Sequence, residues 1–355
     1  MNWVSRLGRR PFFIRLFHWE YWSFEFIYAP IYVVWLWFTL KARSFFFFAA
    51  SNPGIQNGGF LSESKKDIHP LIPPEYLPRS VFFSIPSNPE IVLAEVRRKG
   101  LQFPLIGKPD IGGKGRGIQA LSDESELINY VLLCYTNFHI QEFVSYKNEV
   151  GIFYYRYPSE QKGHISGIVT KEFLKVVGDG HSSIRELLVK DKRAILQMEK
   201  LEKGIGSMLD IVLPAGDERV VVPYGNHARG AKFIDDTRLV DGELEATIDK
   251  ICQRIPGFYF GRLDIRFQDW AGLKQGQNMS IIEVNGAGSE PTHIYDPRHT
   301  IFFGWKEIIR HINILCKISM QNHRKGYPYL TVREGLQMFR EDKLNSRKLA
   351  AMEDG

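Results

Sequence analysis

Lys108, Lys114 and Arg116 share a ten-residue stretch, Lys108-Pro109-Asp110-Ile111-Gly112-Gly113-Lys114-Gly115-Arg116-Gly117, with four glycines. Glycines free the backbone to curl tightly, and bare N–H groups on a curl beside cations form a cradle for phosphate. The stretch fits neither G-x-x-x-x-G-K-[ST] nor G-x-G-x-x-G. On its own it reads equally well as a flexible basic loop. Phosphate chemistry also calls for a hard cation, and Mg²⁺ is held by only a few oxygen ligands. A matching set lies near the other end of the chain. Asp264 sits in Gly261-Arg262-Leu263-Asp264-Ile265-Arg266, and Glu283 and Asn285 sit in Ile281-Ile282-Glu283-Val284-Asn285. Residues two apart on a strand share a face, so Glu283 and Asn285 project together. Antiparallel pairing would let Asp264 join them. An acid and an amide in an apolar strand are costly to bury without a partner. Solvated groups on a strand edge are the alternative, and the apolar residues at 281, 282 and 284 weigh against it. Arg262 shares a face with Asp264, either beside a metal or as its salt-bridge partner.

The elements that carry these residues alternate in type. Phe103-Pro104-Leu105-Ile106 predicts a buried strand over 103–108 entering the glycine loop. Ser122 is placed to cap a helix whose apolar face is Leu127, Ile128, Val131, Leu132 and Tyr135. Strands are expected at 139–144 and 148–156, a hairpin pair within 163–177, and a strand-like stretch over 220–233. Further strands are expected at 257–267 and 280–284. Ser183-Ile184-Arg185-Glu186 is a capping box. Helices are expected over 190–210, 244–254, 302–321 and 331–342, with a polar tail from Lys343. Before this region, residues 51–100 are rich in Pro and Gly and read as a linker with an abbreviated folded part. That part holds a strand at 81–83 and a helix over 89–99 behind Ser87.

The first 50 residues differ in kind. Trp19 to Leu40 is dense in aromatics, Phe26 to Leu40 carries no charge, and Arg6, Arg9, Arg10 and Arg15 precede the first acid, Glu20. Three readings compete: one membrane-spanning helix, an interfacial helix, or a hydrophobic arm for a partner. The uncharged run falls short of the ~20 residues a span needs. Clustered cations beside aromatics fit a membrane surface better than a nucleic-acid groove, so nucleic acid is not an expected partner. The chain has 355 residues, 44% of them hydrophobic and 24% charged, which allows several subdomains and argues against disorder. Its net charge of +6 is modest. Cys134, Cys252 and Cys316 lie far apart in apolar contexts and read as buried thiols in a reducing compartment.

Taken in order, Phe-Pro-Leu-Ile-Gly-Lys-Pro, the glycine loop, Gln-Glu-Phe-Val, Gly-Arg-Leu-Asp and Glu-Val-Asn resemble an ATP-grasp ligase over about residues 75–325. The nearest likeness is to D-alanine–D-alanine ligases and cyanophycin-synthetase-like peptide ligases, the latter through Val177-Gly178-Asp179-Gly180-His181-Ser182-Ser183-Ile184-Arg185-Glu186-Leu187. The resemblance implies an α+β fold of two subdomains clasping ATP, with the ATP-grasp domain over 101–325. Residues 1–50 form a hydrophobic membrane-associating segment, 51–100 a linker with a truncated pre-grasp region, and 326–355 a C-terminal helix and tail.

The resemblance also implies roles. Lys108 would contact ATP phosphates, with Gly112, Gly113, Lys114 and Gly115 in the flap above them. Glu142, Phe143 and Val144 would meet adenine, and Glu149 the ribose. Arg262 would lie beside an acyl-phosphate, and Asp264, Glu283 and Asn285 would hold Mg²⁺ (or Mn²⁺). Asn226, His227, Arg229 and Gly288 would face substrate. The implied reaction joins a small-molecule carboxylate to an amine or thiol at the cytoplasmic face of a membrane, approached through residues 19–50 at the surface or with a single pass. A kinase of a membrane-associated metabolite and a non-catalytic ATP-binding tether are the alternatives.

Overall fold

The computed structural model describes residues 10–113, 115–222, 225 and 230–354. Lys114, Asn226, His227 and Arg229, and the arginines at 6 and 9, lie outside the described residues.

Two antiparallel sheets carry the molecule. The smaller has the order β1-β4-β2-β3, with β1 Ser80–Phe83, β2 Leu105–Pro109, β3 Gln119–Leu121 and β4 Phe138–Glu142. Helices Pro89–Arg98 and Glu124–Leu133 bury Val92, Val96, Leu127 and Val131 against Leu105, Phe138 and Ile140. The caps sit one residue later than expected. Asn88 accepts from the Glu90 and Ile91 amides, while Ser87 is used in a turn, donating to Ser84 O. Asp123, not Ser122, caps the second helix. The strand and helix expected within 51–100 are present as Ser80–Phe83 and Pro89–Arg98, and both belong to this sheet layer.

The larger sheet has the order β11-β10-β5-β6-β9: β5 Asn148–Tyr155, β6 His164–Glu172, β9 Lys232–Asp235, β10 Phe260–Phe267 and β11 Met279–Asn285. Helix Gly242–Gln253 packs on one face through Leu244, Ile248, Ile251 and Cys252. The expected hairpin within 163–177 does not form. β6 pairs with β5 and β9, whereas β7 (Leu174–Val177) leaves the sheet to pair with β8 (Glu218–Val222). Leu174 and Val176 have their own core there, with Ile184, Leu188 and Leu201. The Ser183 capping box is present, but the single helix expected over 190–210 is three short segments, Lys192–Ile195, Met198–Ile205 and Gly206–Asp210. Gly204 and Gly206 weaken helix continuation there.

Helix Phe24–Ala42 lies against helix Ile301–Arg324, burying Ile27, Ile31, Phe38 and Ala42 in a core shared with Ile308, Ile312 and Leu315. These four residues follow one helical stripe. The single-pass alternative is corrected: among the described residues no helix is long and apolar enough to cross a membrane. The aromatic density instead serves packing on one side and leaves Phe26, Val33, Trp37 and Leu40 exposed on the other.

From there the chain threads back over the large sheet. Asn52, fully buried, donates to Gly58 O and Phe260 O and accepts from the Tyr259 and Phe260 amides, which ties this extended stretch to β10. The polar tail is helical too. Helix Val332–Asp354 buries Met338 in the core that holds Phe46, whose ring also meets Phe339, and packs Leu349 against the glycine loop, where a Cβ on Gly112 would come within 3.0 Å of Leu349. All three cysteines are free and buried.

Candidate active site

The two sheets face each other across a cavity of about 1240 Å³. On one wall, β2 places Lys108 between its neighbours β4 and β3, and the side chain is 3% exposed. No carboxylate among the described residues lies within salt-bridge distance of its ammonium. Burial and the nearby Lys65 push its pKa down to about 7, against the partial pull of Glu283 and Asp110. The glycine loop follows directly, and Gly115 and Gly117 adopt φ of 72° and 66°, the left-handed region where a side chain is strained.

On the opposite wall, the antiparallel register sets Asp264 across from Glu283 and Arg262 across from Asn285. All four side chains therefore rise from the same face of the β10–β11 pair. Asp264 accepts from Arg262 Nε at 3.0 Å and Nη2 at 3.2 Å, and Lys171 Nζ of β6 stands 3.2 Å away. Burial alone would raise the Asp264 pKa, but Arg262 and Lys171 outweigh it and hold the carboxyl below its usual range. Burial likewise disfavours the charged forms of Arg262 and Lys171, and their carboxylate neighbours more than offset it. Gly151 of β5 makes room for this cluster, since a Cβ there would meet Val169 at 2.8 Å and Asp264 at 3.1 Å.

Glu283 is about one-third exposed, 4.0 Å from Lys65 Nζ. The Asn285 side-chain nitrogen is buried with no hydrogen-bond partner. Two carboxylates facing each other on paired strands suit Mg²⁺ that takes its remaining ligands from phosphate and water, with the Asn285 carboxamide oxygen as a further donor; the unpartnered Asn285 nitrogen is an N–H donor and does not itself point to a cation. They do not form a self-sufficient cage: no three His, Cys, Asp or Glu side chains among the described residues converge for a metal.

Glu142, Phe143 and Val144 line the cavity where the two sheets meet. The Glu142 carboxylate turns outward to Arg79, at 3.1 Å, so this hinge offers the cavity its backbone and the Phe and Val side chains. Glu149 also lines the cavity, but its oxygens are engaged by Lys171 at 2.9 Å and Arg266 at 3.3 Å. Gly225 packs on that carboxylate. Gly288 presents no side chain; its amide donates to Gly59 O, and a Cβ would collide with Phe60 O.

Three residues with no signal in the sequence join the site. Lys171 follows a strand pattern indistinguishable from its neighbours. Glu63 and Lys65 lie in the extended stretch before β1. Ser64 and the Lys66 amide bond to Asp110, which His139 also meets at 3.0 Å, and this fastens the stretch to the end of β2. Lys65 Nζ then donates to the Asp110 and Gly112 carbonyls and reaches toward Glu283, linking both walls. Glu63 accepts from the Gly286 amide at 2.6 Å. Burial drives its pKa up to about 8, with Glu283 adding to the shift and the Gly286 bond opposing it.

No protein-family model matches the chain, and the comparison with curated proteins finds no relative. Solved structures are similar to parts of the chain at low identity and low TM-score. A D-alanine–D-alanine ligase from Bacillus anthracis is 12% identical over 74% of this chain and 69% of its own, with a TM-score of 0.43. VanG D-Ala:D-Ser ligase from Enterococcus faecalis is 16% identical over 75% and 61%, with a TM-score of 0.39. A bifunctional glutathione synthetase from Pasteurella multocida is 17% identical over 72% and 39%, with a TM-score of 0.35. The chain thus spans about two-fifths of the glutathione synthetase and three-fifths of the VanG ligase.

Proposed function

We propose that the protein is an ATP-dependent ligase that activates a carboxylate as an acyl-phosphate and joins it to an amine or a thiol. The observation that carries this reading is Lys108: a buried lysine with no carboxylate among the described residues at salt-bridge distance, facing Asp264 and Glu283 across a cavity large enough for a nucleotide. A buried cation left without a counter-charge is costly, and an anionic ligand offsets that cost.

In this reading adenine lies at the hinge backbone of residues 142–144. Lys108 and Lys65 hold the phosphates under the glycine loop. Glu149 meets the ribose once Lys171 is drawn toward phosphate. Asp264 and Glu283, with Asn285, would hold Mg²⁺ (or Mn²⁺), which supplies charge neutralisation at the phosphates. Arg262 orients the carboxylate. A carboxylate oxygen attacks the γ-phosphorus and ADP leaves. The amine nitrogen then attacks the acyl carbon, the C–O bond to phosphate breaks, phosphate departs with the bonding pair, and the nitrogen loses its proton to solvent. Positioning and charge stabilisation supply the rate, and a closed flap keeps water from the acyl-phosphate.

The reading places the protein at the cytoplasmic face of a membrane, with the exposed side of helix Phe24–Ala42 on the lipid surface; support comes from Val33, Leu36, Trp37 and Leu40 lying exposed along it near Lys41 and Arg43. The test is ADP and phosphate release from ATP in a screen of carboxylate and amine or thiol pairs, with mass analysis of products. A coupled product supports ligation. A stable phosphorylated product would make the protein a kinase, and ATP binding without turnover for any pair would leave a tether.

A further inference from the structure

The cavity does not end at the nucleotide region. At about 1240 Å³ it exceeds the ~300–1,000 Å³ of a usual small-molecule pocket. Its lining also includes the N-terminal segment, where apolar groups, Phe12, Leu16, Trp22, Phe24 and Phe26, outnumber the charged Arg15 and Glu20, the latter paired with Arg193. Several of these are large apolar groups left open: Phe26 is 74% exposed and Phe12 69%. Exposed apolar side chains scattered singly need no explanation, but a cluster of five on one cavity wall does.

This wall is built, not draped. Glu20 accepts two bonds from Arg193 at 3.1 and 3.2 Å, a buried ion pair that anchors the segment to helix Lys192–Ile195. The Trp19 indole donates to His299 O at 2.8 Å and the Trp305 indole to Ile27 O at 2.9 Å. Tyr28 donates to Glu290 Oε1 at 2.6 Å, an oxygen that Tyr295 also meets at 3.1 Å. Side chains at the chain's N-terminal end are thus fixed over the cleft at the place where charged and apolar linings meet.

We infer that this cleft takes an amphiphile as one of its substrates: an alkyl or aryl chain lies against Phe12, Leu16, Trp22, Phe24 and Phe26, and its polar reacting head is held at Arg262 and Glu290. The assignment of the head to the reacting end rests on the ligase reading; the apolar chain site does not. Arg262 suits a carboxylate head and Glu290 an ammonium head, so the shared chemistry is a long apolar chain on a charged head. A site of this shape explains why the cleft is walled by an aromatic segment. It also fits the exposed side that Phe26 shares with Val33, Trp37 and Leu40, which continues the apolar surface outward along the helix from the cavity.

The test is titration calorimetry on the full chain with butanoate and decanoate, and with butylamine and decylamine, below micellar concentration. Each buried methylene adds about fourfold in affinity, so the decyl form of at least one head should bind about 100-fold or more tighter than its butyl form. Phe26→Asp and Leu16→Asp, both at exposed positions, should each reduce that gain by about tenfold. Decyl and butyl forms within about threefold of each other for both heads would overturn the inference, as would a gain that both variants leave intact. ATP binding is read on the same preparations. ATP bound without any chain-length effect removes the amphiphile site and leaves the ligase reading standing; a chain-length effect without ATP binding does the reverse.

Discussion

The two walls of the cavity both bury cations, and they treat them oppositely. On the large sheet, Arg262 and Lys171 are paired with Asp264 and Glu149, and their pKa values rise despite burial. On the small sheet, Lys108 is buried beside Lys65, with Glu283 and Asp110 giving only a partial pull the other way, and its pKa falls to about 7. The first wall satisfies its own charges. The second would be completed by an anion in the cavity, as the proposed function requires. A structural cluster and a binding group are therefore told apart by whether the protein supplies the counter-charge, not by burial or residue type.

That contrast breaks most visibly at Asp264. Asp264→Ala should lose turnover and cost about 3–5 kcal/mol in urea unfolding, because two buried cations lose their partner. Lys108→Met should act the other way round. ATP affinity by calorimetry should fall about 10- to 100-fold, while unfolding stability at pH 7 stays level or rises slightly. A loss of stability as large as that of Asp264→Ala would erase the distinction.

Acidity sharpens the same comparison. The folded pKa of Lys108 lies below its unfolded value, so the unfolded chain binds more protons between about pH 7 and 10.5, and stability rises with pH across that window. Phosphate binding restores the proton, so ATP affinity should fall by up to about tenfold per pH unit above pH 7. Calorimetry in buffers of different ionisation enthalpy should show proton uptake, absent in Lys108→Met. Glu63 has the opposite sign. Its folded pKa, about 8, exceeds the unfolded value of 4.5, so its contribution to stability is lost as pH rises between them. Glu63→Gln should leave stability at pH 4 nearly unchanged, raise it relative to the parent above that, and flatten the decline in urea midpoints taken from pH 5 to 8. Smallest of all, Glu142→Gln should leave ATP affinity unchanged, since its carboxylate faces Arg79 in solvent and the hinge presents its backbone.

Much of the large-sheet wall is legible in the residues. The period of two in 262–264 and 283–285, with apolar residues between, requires a shared face, and the intervening turn region allows antiparallel pairing; β10 and β11 pair in that register. Lys171 is not legible, because β6 reaches the site through a sheet order in which β5 lies between it and β10. Lys65 and Glu63 are hidden for a different reason. They sit in a stretch of turns whose only local signal is looseness, and Asp110 fixes their position from 44 residues away or more. The hairpin expected within 163–177 misled because alternation marks a strand but not its partner, and a separate core claims Leu174 and Val176.

The sequence by itself determined most of the large-sheet strands, the helices at 89–99, 244–254 and 302–321, the glycine loop and the residue types that meet charge, because these follow from local backbone sterics and side-chain periodicity. Only the tertiary structure decided which buried cations are already paired, that an aromatic N-terminus packs beside the cavity without a helix fit to span a membrane among the described residues, and that the polar C-terminal tail is a helix seated on the glycine loop. Those outcomes depend on contacts between residues hundreds of positions apart, such as Glu20 with Arg193 and Gly112 with Leu349. The energy of such contacts is set by distance in space and by shared burial, neither of which the order of residues along the chain specifies.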